Sequence, residues 1–378
     1  MLLPRVRFLF SVLFLLFVFA PEFSAQTENP RSPAPSPTPP GDVERVETEE
    51  IKLNISAFDA SGEFVRDVGT DDLVIVESGR LHQPTSVRRT SANVLILLDV
   101  GSEIAYAKRA KTTIETARSL IGALQENDSV AVMQYGDKVE ILFEWTKDKD
   151  AVLQSLDEKK LGFGKRSAFF YALDKAVNYF RNASADNRHL VIISDGVDSF
   201  NDKQAKDATL KNLLSSDVNI HVVSYTRLQQ KAIEGTKKNS SQRRKQELPP
   251  GAEPPVRGTT PTFSIGSINL DREMVRKRKE QAAQLERSEQ FLTSIAEDTN
   301  GEIFLPETTQ EMIEKMTQLA KNIDSQYVVT YTPKKTLNEA PDGEVRLIEA
   351  NSRRAGLAVQ GRRKLVVTNN SETRRNLP

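Results

Sequence analysis

Two apolar runs stop abruptly on acidic residues, and this pattern constrains the fold more than any other feature of the chain. Val94-Leu95-Ile96-Leu97-Leu98 ends at Asp99, and Leu190-Val191-Ile192-Ile193 ends at Ser194-Asp195-Gly196. A run that is apolar at every position, rather than at every second one, suits a strand buried on both faces of a helix-covered parallel sheet. The segments around these runs have helical period. Ile104, Ala107, Ile114, Ala117, Ile121 and Leu124 predict an amphipathic helix over 103–125; Phe169, Leu173, Ala176 and Phe180 predict another over Ala168–Phe180. Asp128 opens a strand, Val130 to Tyr135, and Gly136-Asp137 turns straight into a third, Val139 to Trp145. So short a link joins only antiparallel neighbours, so one edge of the sheet is antiparallel. Residues 202–216 read as helix and Val218 to Tyr225 as strand. The alternation predicts an α/β, Rossmann-like, doubly wound sheet with right-handed crossovers.

The flanks are different in kind. Residues 1–25 carry Arg5 and Arg7, then the charge-free stretch Phe8 to Ala20, then Pro21. That stretch has the length of a signal-peptide core and falls short of the roughly 20 residues a bilayer span needs. Cleavage after Ala25 is expected, with an uncleaved membrane anchor as the alternative. Residues 26–44 hold six of the 18 prolines and read as an extended spacer. Residues 45–90 read as a small β domain of short strands, and 91–332 as the α/β domain. Within the latter, 227–247 carries seven Lys or Arg against two Glu, and 248–267 is rich in Pro, Gly, Thr and Ser. An insertion over about 228–285 is expected, without regular structure until a charged helix at 271–299. Thr299-Asn300-Gly301 caps that helix, Glu302 to Leu305 is a short strand, Glu307 to Ile323 a helix and Gln326 to Thr332 a strand. Residues 333–378 hold two more C-terminal strands and a polar tail.

Composition excludes much chemistry. With no Cys there is no disulfide framework, thiol catalysis or iron–sulfur cluster, and export without Cys points to a bacterial chain. Lys plus Arg and Asp plus Glu are both 52, so no global charge draws the chain to nucleic acid. His82, His189 and His221 are scattered, leaving little for a zinc site or a His-based triad. The first strand lacks a Gly-x-Gly-x-x-Gly turn, and Gly164-Lys165-Arg166-Ser167 is not a phosphate-binding loop, because Lys159 stands where its first Gly belongs. Trp145 and Phe169-Phe170-Tyr171 have the spacing of core packing.

In an open parallel sheet, ligands bind beyond the carboxyl ends of the strands. Asp99 and Asp195 end strands that should be neighbours, and the loop Gly162 to Arg166 brings Ser167 to the same rim. Two carboxylates and a hydroxyl there suit a hard cation that keeps several waters. The strand ending in Asp99, the hairpin near 136, Ser194-Asp195-Gly196, the turn Glu297 to Gly301 and the strand Tyr327 to Pro333, in that order, resemble the von Willebrand factor type A family, and more closely its secreted bacterial branch. The likeness runs over about 45–368. It implies a metal-ion-dependent adhesion site in which Asp99 stands for the first Asp, Ser167 for the Thr and Asp195 for the last Asp. Gly101 and Glu103 occupy the family's two serine positions. The implied metal residues are therefore Asp99, Glu103, Ser167 and Asp195. Their three carboxylates would repel one another and raise a pKa unless a cation lay between them.

The expected function is non-enzymatic: an exported protein-binding or adhesion module that uses the top face of the sheet. Mg²⁺ or Ca²⁺ is the cofactor the resemblance implies, and no ion at all is the equal alternative. The runner-up is a metal-free scaffold of the cell envelope with 271–299 as its partner surface. The partner is an unidentified protein, nucleic acid is not expected, and a membrane is touched only through an uncleaved signal anchor. The place of action is the secreted, periplasmic or envelope space of a bacterium.

Overall fold

The computed structural model describes residues 49–101, 106–158, 161, 164–183, 186–200, 202–243 and 265–368. Four strands come first: β1 (Ile51–Phe58), β2 (Leu73–Glu77), β3 (Arg80–His82) and β4 (Ser86–Arg88). The α/β part follows as β5 (Ala92–Asp99), α1 (Tyr106–Ala123), β6 (Ser129–Tyr135), β7 (Val139–Thr146), α2 (Lys149–Glu158), α3 (Phe169–Tyr179), β8 (Asn187–Ser194), α4 (Lys203–Ser215), β9 (Asn219–Ser224), α5 (Thr226–Arg243), α6 (Ile265–Asp298), β10 (Ile303–Phe304) and α7 (Thr309–Asp324). The chain ends on β11 (Tyr327–Tyr331), β12 (Val345–Ser352), β13 (Ala358–Gly361) and β14 (Lys364–Val366).

The central sheet has the order β10-β9-β8-β5-β6-β7, parallel throughout except for β7, which runs antiparallel at the edge. The doubly wound α/β architecture read from the sequence is the one observed. Its cause is visible in β5. Val94, Ile96 and Leu98 point into a core with Ala117, Leu120 and Ile121 of α1 and Met312, Met316 and Leu319 of α7. Leu95 and Leu97 point into a second core with Phe169, Leu173 and Ala176 of α3 and Leu292 and Ile295 of α6. Every residue of the run is buried, so none can be polar. Helix α2 has no counterpart in the sequence reading. Among its described side chains it buries Val152 and Leu156, one turn apart, which is too short a stripe to register as a period.

The strands at the two ends of the chain, read from the sequence as separate pieces, pair with one another. Two four-stranded sheets, β13-β1-β11-β4 and β14-β12-β2-β3, share one core of Ile51, Leu53, Ile55, Leu73, Ile75, Tyr327, Val329, Tyr331 and Ile348. Ile51 pairs with Tyr331 and Ile75 with Ala350, so neither terminal piece closes its own core. β11, read as the last strand of the α/β part, belongs here because its partner is β1. Buried Arg362 ties this layer to α4 by donating to the carbonyls of Leu214 (2.8 Å) and Ser216 at the helix end, where a cation meets the negative end of the dipole.

The region after β9 also departs from expectation. The charged run is helical over 226–243, and α6 begins at Ile265; residues 244–264 lie outside the described residues. The charges are spaced for cross-helix contact rather than for solvent alone: Arg227 pairs with Glu289, and Lys231 with Glu307.

A buried polar chain joins the layers. The Glu302 N–H donates to His221 Nδ1 (3.2 Å), and His221 Nε2 and His189 Nδ1 are 3.0 Å apart. His189 Nε2 lies 2.7 Å from Asn187 Oδ1, which also accepts from Asn54. An amide N–H at one end and a carbonyl oxygen at the other fix both rings as Nε2–H tautomers, with no acceptor left for an extra proton. Burial accordingly lowers both pKa values, His221 to about 3. These groups contribute stability above their ordinary pKa of 6.5, and it is lost as the pH falls towards the folded values. In urea melts from about pH 7 to about pH 4, His221→Asn is expected to improve steadily relative to wild type. A difference that stays constant with pH would exclude this chain as a source of acid lability.

Candidate functional site

The carboxyl ends of β5 and β8 are neighbours, because Leu98 pairs with Ile193; this sets Asp99 beside Ser194. Asp99 Oδ2 accepts from Ser194 Oγ (2.7 Å) and Oδ1 from the Gly101 N–H (3.0 Å). Ser194 Oγ in turn meets Tyr135 Oη at the end of β6 (2.7 Å) and accepts from the Gly196 N–H (2.8 Å). Asp195 points its own carboxylate along the rim, where Oδ1 accepts from the Val197 N–H (3.0 Å) and Oδ2 from the Gln229 amide on α5. Its carbonyl accepts from Ser288 of α6. Burial, and secondly the charge of Asp195, push the Asp99 carboxyl up to about 7 against the lowering effect of the Ser194 and Gly101 hydrogen bonds. Burial first, then the charge of Asp99, raises Tyr135.

Ser167 comes to the same rim from the loop before α3. It is buried, and its Oγ has no hydrogen-bond partner among the described residues. Its N–H donates to Ser199 Oγ (2.9 Å), and the Ser199 N–H returns to the Ser167 carbonyl (2.8 Å). Of the four residues expected to form the site, Asp99 and Asp195 are near enough to interact electrostatically, Ser167 packs against Gly101, two residues after Asp99, and Glu103 lies outside the described residues. Among the described residues no three His, Asp or Glu side chains cluster closely enough to hold a metal. Of the four expected residues, those described offer a cation the side-chain oxygens of Asp99, Asp195 and Ser167.

Several participants were not singled out from the sequence. Ser194 could have been found, since parallel pairing of the two apolar runs places it across from Asp99. Tyr135, which ends the next strand, follows from the same argument. Gln229 leaves no sequence signal, because it arrives on a helix where none is expected. A cleft of about 1110 Å³ lies at the opposite end of the sheet, beside α3 and α4. Among its basic lining residues, Lys52, Arg188 and Lys211 are ion-paired, with Asp186, Asp217 and Asp342 respectively.

The rim's outer surface is apolar in places. Arg166 is exposed and holds its guanidinium 3.8 Å above the ring of Phe200, itself 44% exposed. Tyr171, in the first turn of α3, is 55% exposed.

Residues 94–197 match the sequence profile of the von Willebrand factor type A domain. No curated protein matches the chain. Among solved structures, an aerotolerance-related membrane protein from Bacteroides fragilis is 16% identical, over 61% of this chain and 100% of that one, with a TM-score of 0.36. A von Willebrand factor type A protein from Catenulispora acidiphila is 9% identical, over 88% of this chain and 78% of that one, with a TM-score of 0.40. The manganese-loaded TRAP protein of Plasmodium vivax is 17% identical, over 40% of this chain and 61% of that one, with a TM-score of 0.30. The profile match spans both Asp-ended strands and the loops between them, so residues 94–197, which include the parallel strands β5, β6 and β8, form a von Willebrand factor type A domain.

Proposed function

We propose that the protein is an exported, non-enzymatic binding module that holds a partner protein at the carboxyl ends of the central strands. The observation that carries this reading is the exposed Arg166–Phe200 pair beside Ser167, with Tyr171 on the next element. Arginine and large aromatics are the residues that dominate protein interfaces. An enzyme is the poorer reading, because all four carboxylate oxygens of Asp99 and Asp195 already accept from donors of the chain itself. Residues 1–25 support export, with 26–44 as the spacer of the mature chain. Among the described residues no helix is long and apolar enough to cross a membrane.

The test is site-specific photo-crosslinking in the full chain within its native envelope. A crosslinking phenylalanine analogue at position 200 is expected to trap one discrete protein, and the same group at exposed Leu81 of β3 is not. Arg166→Ala should weaken the crosslink at least about tenfold, the loss typical of an interface anchor. Equal labelling at both positions, or none at 200, would sink the reading. Fractionation with N-terminal sequencing checks export, with Gln26 as the expected first residue.

A further inference from the structure

We propose that the rim of this domain is tied together by its own backbone and does not take the divalent cation that the family resemblance implies. Glycines on three different loops meet at this rim. A β-carbon on Gly101, after β5, would stand 2.6 Å from the Arg166 carbonyl oxygen and 2.9 Å from Ser167 Cα. One on Gly136, after β6, would be 3.0 Å from the Gly164 nitrogen, and one on Gly164 would be 2.4 Å from the Asp137 nitrogen. The loops meet main chain to main chain, an approach open only to residues without a side chain.

Hydrogen bonds close the junction. The Gly164 N–H donates to the Val100 carbonyl (3.3 Å), the Val100 N–H to the Tyr135 carbonyl (2.9 Å) and the Ala168 N–H to the Gly136 carbonyl (3.0 Å). The Asp137 carboxylate takes the N–H groups of Lys165 and Arg166, each at 3.0 Å. An ion at such a rim would hold separate loops through shared oxygen ligands. Here peptide groups and one carboxylate do that holding.

Among the described residues, the remaining oxygens fit a cation poorly. Position 101, where the resemblance asks for a hydroxyl, cannot carry one without moving the 166–167 backbone. Asp99 and Asp195 are engaged by Ser194, Gly101, Val197 and Gln229, so Ser167 Oγ is the one unengaged side-chain oxygen among those three residues. Magnesium demands near-octahedral oxygen geometry, and even calcium takes six or more oxygens, so either ion would have to share oxygens that already accept hydrogen bonds. This inference deepens the proposed function: a partner on this rim meets side chains rather than a bridging ion.

The test uses the full chain, stripped with EDTA and then titrated with MgCl₂, MnCl₂ and CaCl₂ up to millimolar concentration, read by calorimetry and by thermal melting. No saturable heat and an unchanged melting temperature are expected. Gly101→Ser should melt lower and gain no ion affinity, and Asp137→Ala should also melt lower. Saturable binding that disappears in Asp99→Ala or Asp195→Ala overturns the proposal, as does a Gly101→Ser chain that melts like wild type and binds an ion. Binding that survives both Asp99→Ala and Asp195→Ala lies elsewhere and leaves the rim ion-free. Because none of these readouts involves a partner, they stand whether or not the crosslink at position 200 appears.

Discussion

Gly301→Ala is expected to destabilise the chain by about 3 kcal/mol or more, a loss in the upper range for a single added methyl group. The reason is space rather than backbone angle. Helix α6 ends at Asp298, Asn300 adopts the left-handed conformation (φ 62°), and the Gly301 N–H returns to the Ala296 carbonyl (2.8 Å). Thr299 Oγ1 reinforces this stop, donating to the Ile295 carbonyl (2.7 Å) and accepting from the Ile220 N–H (3.0 Å). The chain then crosses β9 so closely that a β-carbon at 301 would lie 1.8 Å from the Ile220 carbonyl oxygen and 2.4 Å from its carbon. Ile220 cannot yield, because it pairs with Leu190 inside the sheet. The clash must therefore push out the end of α6, which carries Leu292 and Ile295 of the core. Chemical denaturation of Gly301→Ala beside Asn300→Gly tests this. The second variant removes a left-handed non-glycine residue and should change stability by less than about 1 kcal/mol. A Gly301→Ala chain within about 1 kcal/mol of wild type would mean that the cap can relax, against the packing seen here.

That turn was legible in the sequence as Thr299-Asn300-Gly301, and its legibility shows which features a sequence exposes. Helix stops, buried strands and amphipathic helices are written in adjacent residues, so β5, β8, α3 and α7 could be read directly. The convergence of Asp99 and Asp195 was also readable, because it needs only that two buried strands be neighbours. What escaped depends on partners distant in the chain. The pairing of β1 with β11 joins residues separated by the whole α/β domain, and no local pattern in Ile51–Phe58 names Tyr327–Tyr331 as its neighbour. Gln229 reaches Asp195 because α5 folds back over the Ser194-Asp195-Gly196 turn, where Gly196 (φ 68°) leaves room for Ser288 and Leu292 of α6. The composition of 227–247 concealed this, since a run rich in Lys and Arg reads as solvated chain until its acidic partners Glu289 and Glu307 are in place. The glycine junction was hidden for a related reason. Gly101, Gly136 and Gly164 are unremarkable singly and acquire meaning only when three loops bring them together.

The Asp99 carboxylate is the group whose removal should raise stability. In the folded chain its pKa stands near 7, against an ordinary 3.8, chiefly because it is buried and secondly because Asp195 is charged. A raised carboxyl pKa contributes stability that is fully present below the ordinary value and is lost as the pH rises through the folded value. Wild type should therefore weaken between about pH 4 and pH 7, by an amount on the order of 3 kcal/mol. Asp99→Asn has no charge to bury. Its amide oxygen can still accept from Gly101, and its NH₂ can donate to Ser194 Oγ. Ser194 must then donate to Tyr135, whose own proton loses its acceptor, at a cost of about 1 kcal/mol. The variant should consequently match or fall slightly below wild type near pH 4 and exceed it by about 2 kcal/mol near pH 8. Asp195→Asn supplies the internal check, since removing the second cause of the shift should move the wild-type loss to lower pH. Urea melts across that range decide the matter. If Asp99→Asn proved weaker than wild type near pH 8, the negative charge at the end of β5 would be serving the fold, as it would if a cation were compensating it. The same titration therefore also bears on whether the rim is ion-free.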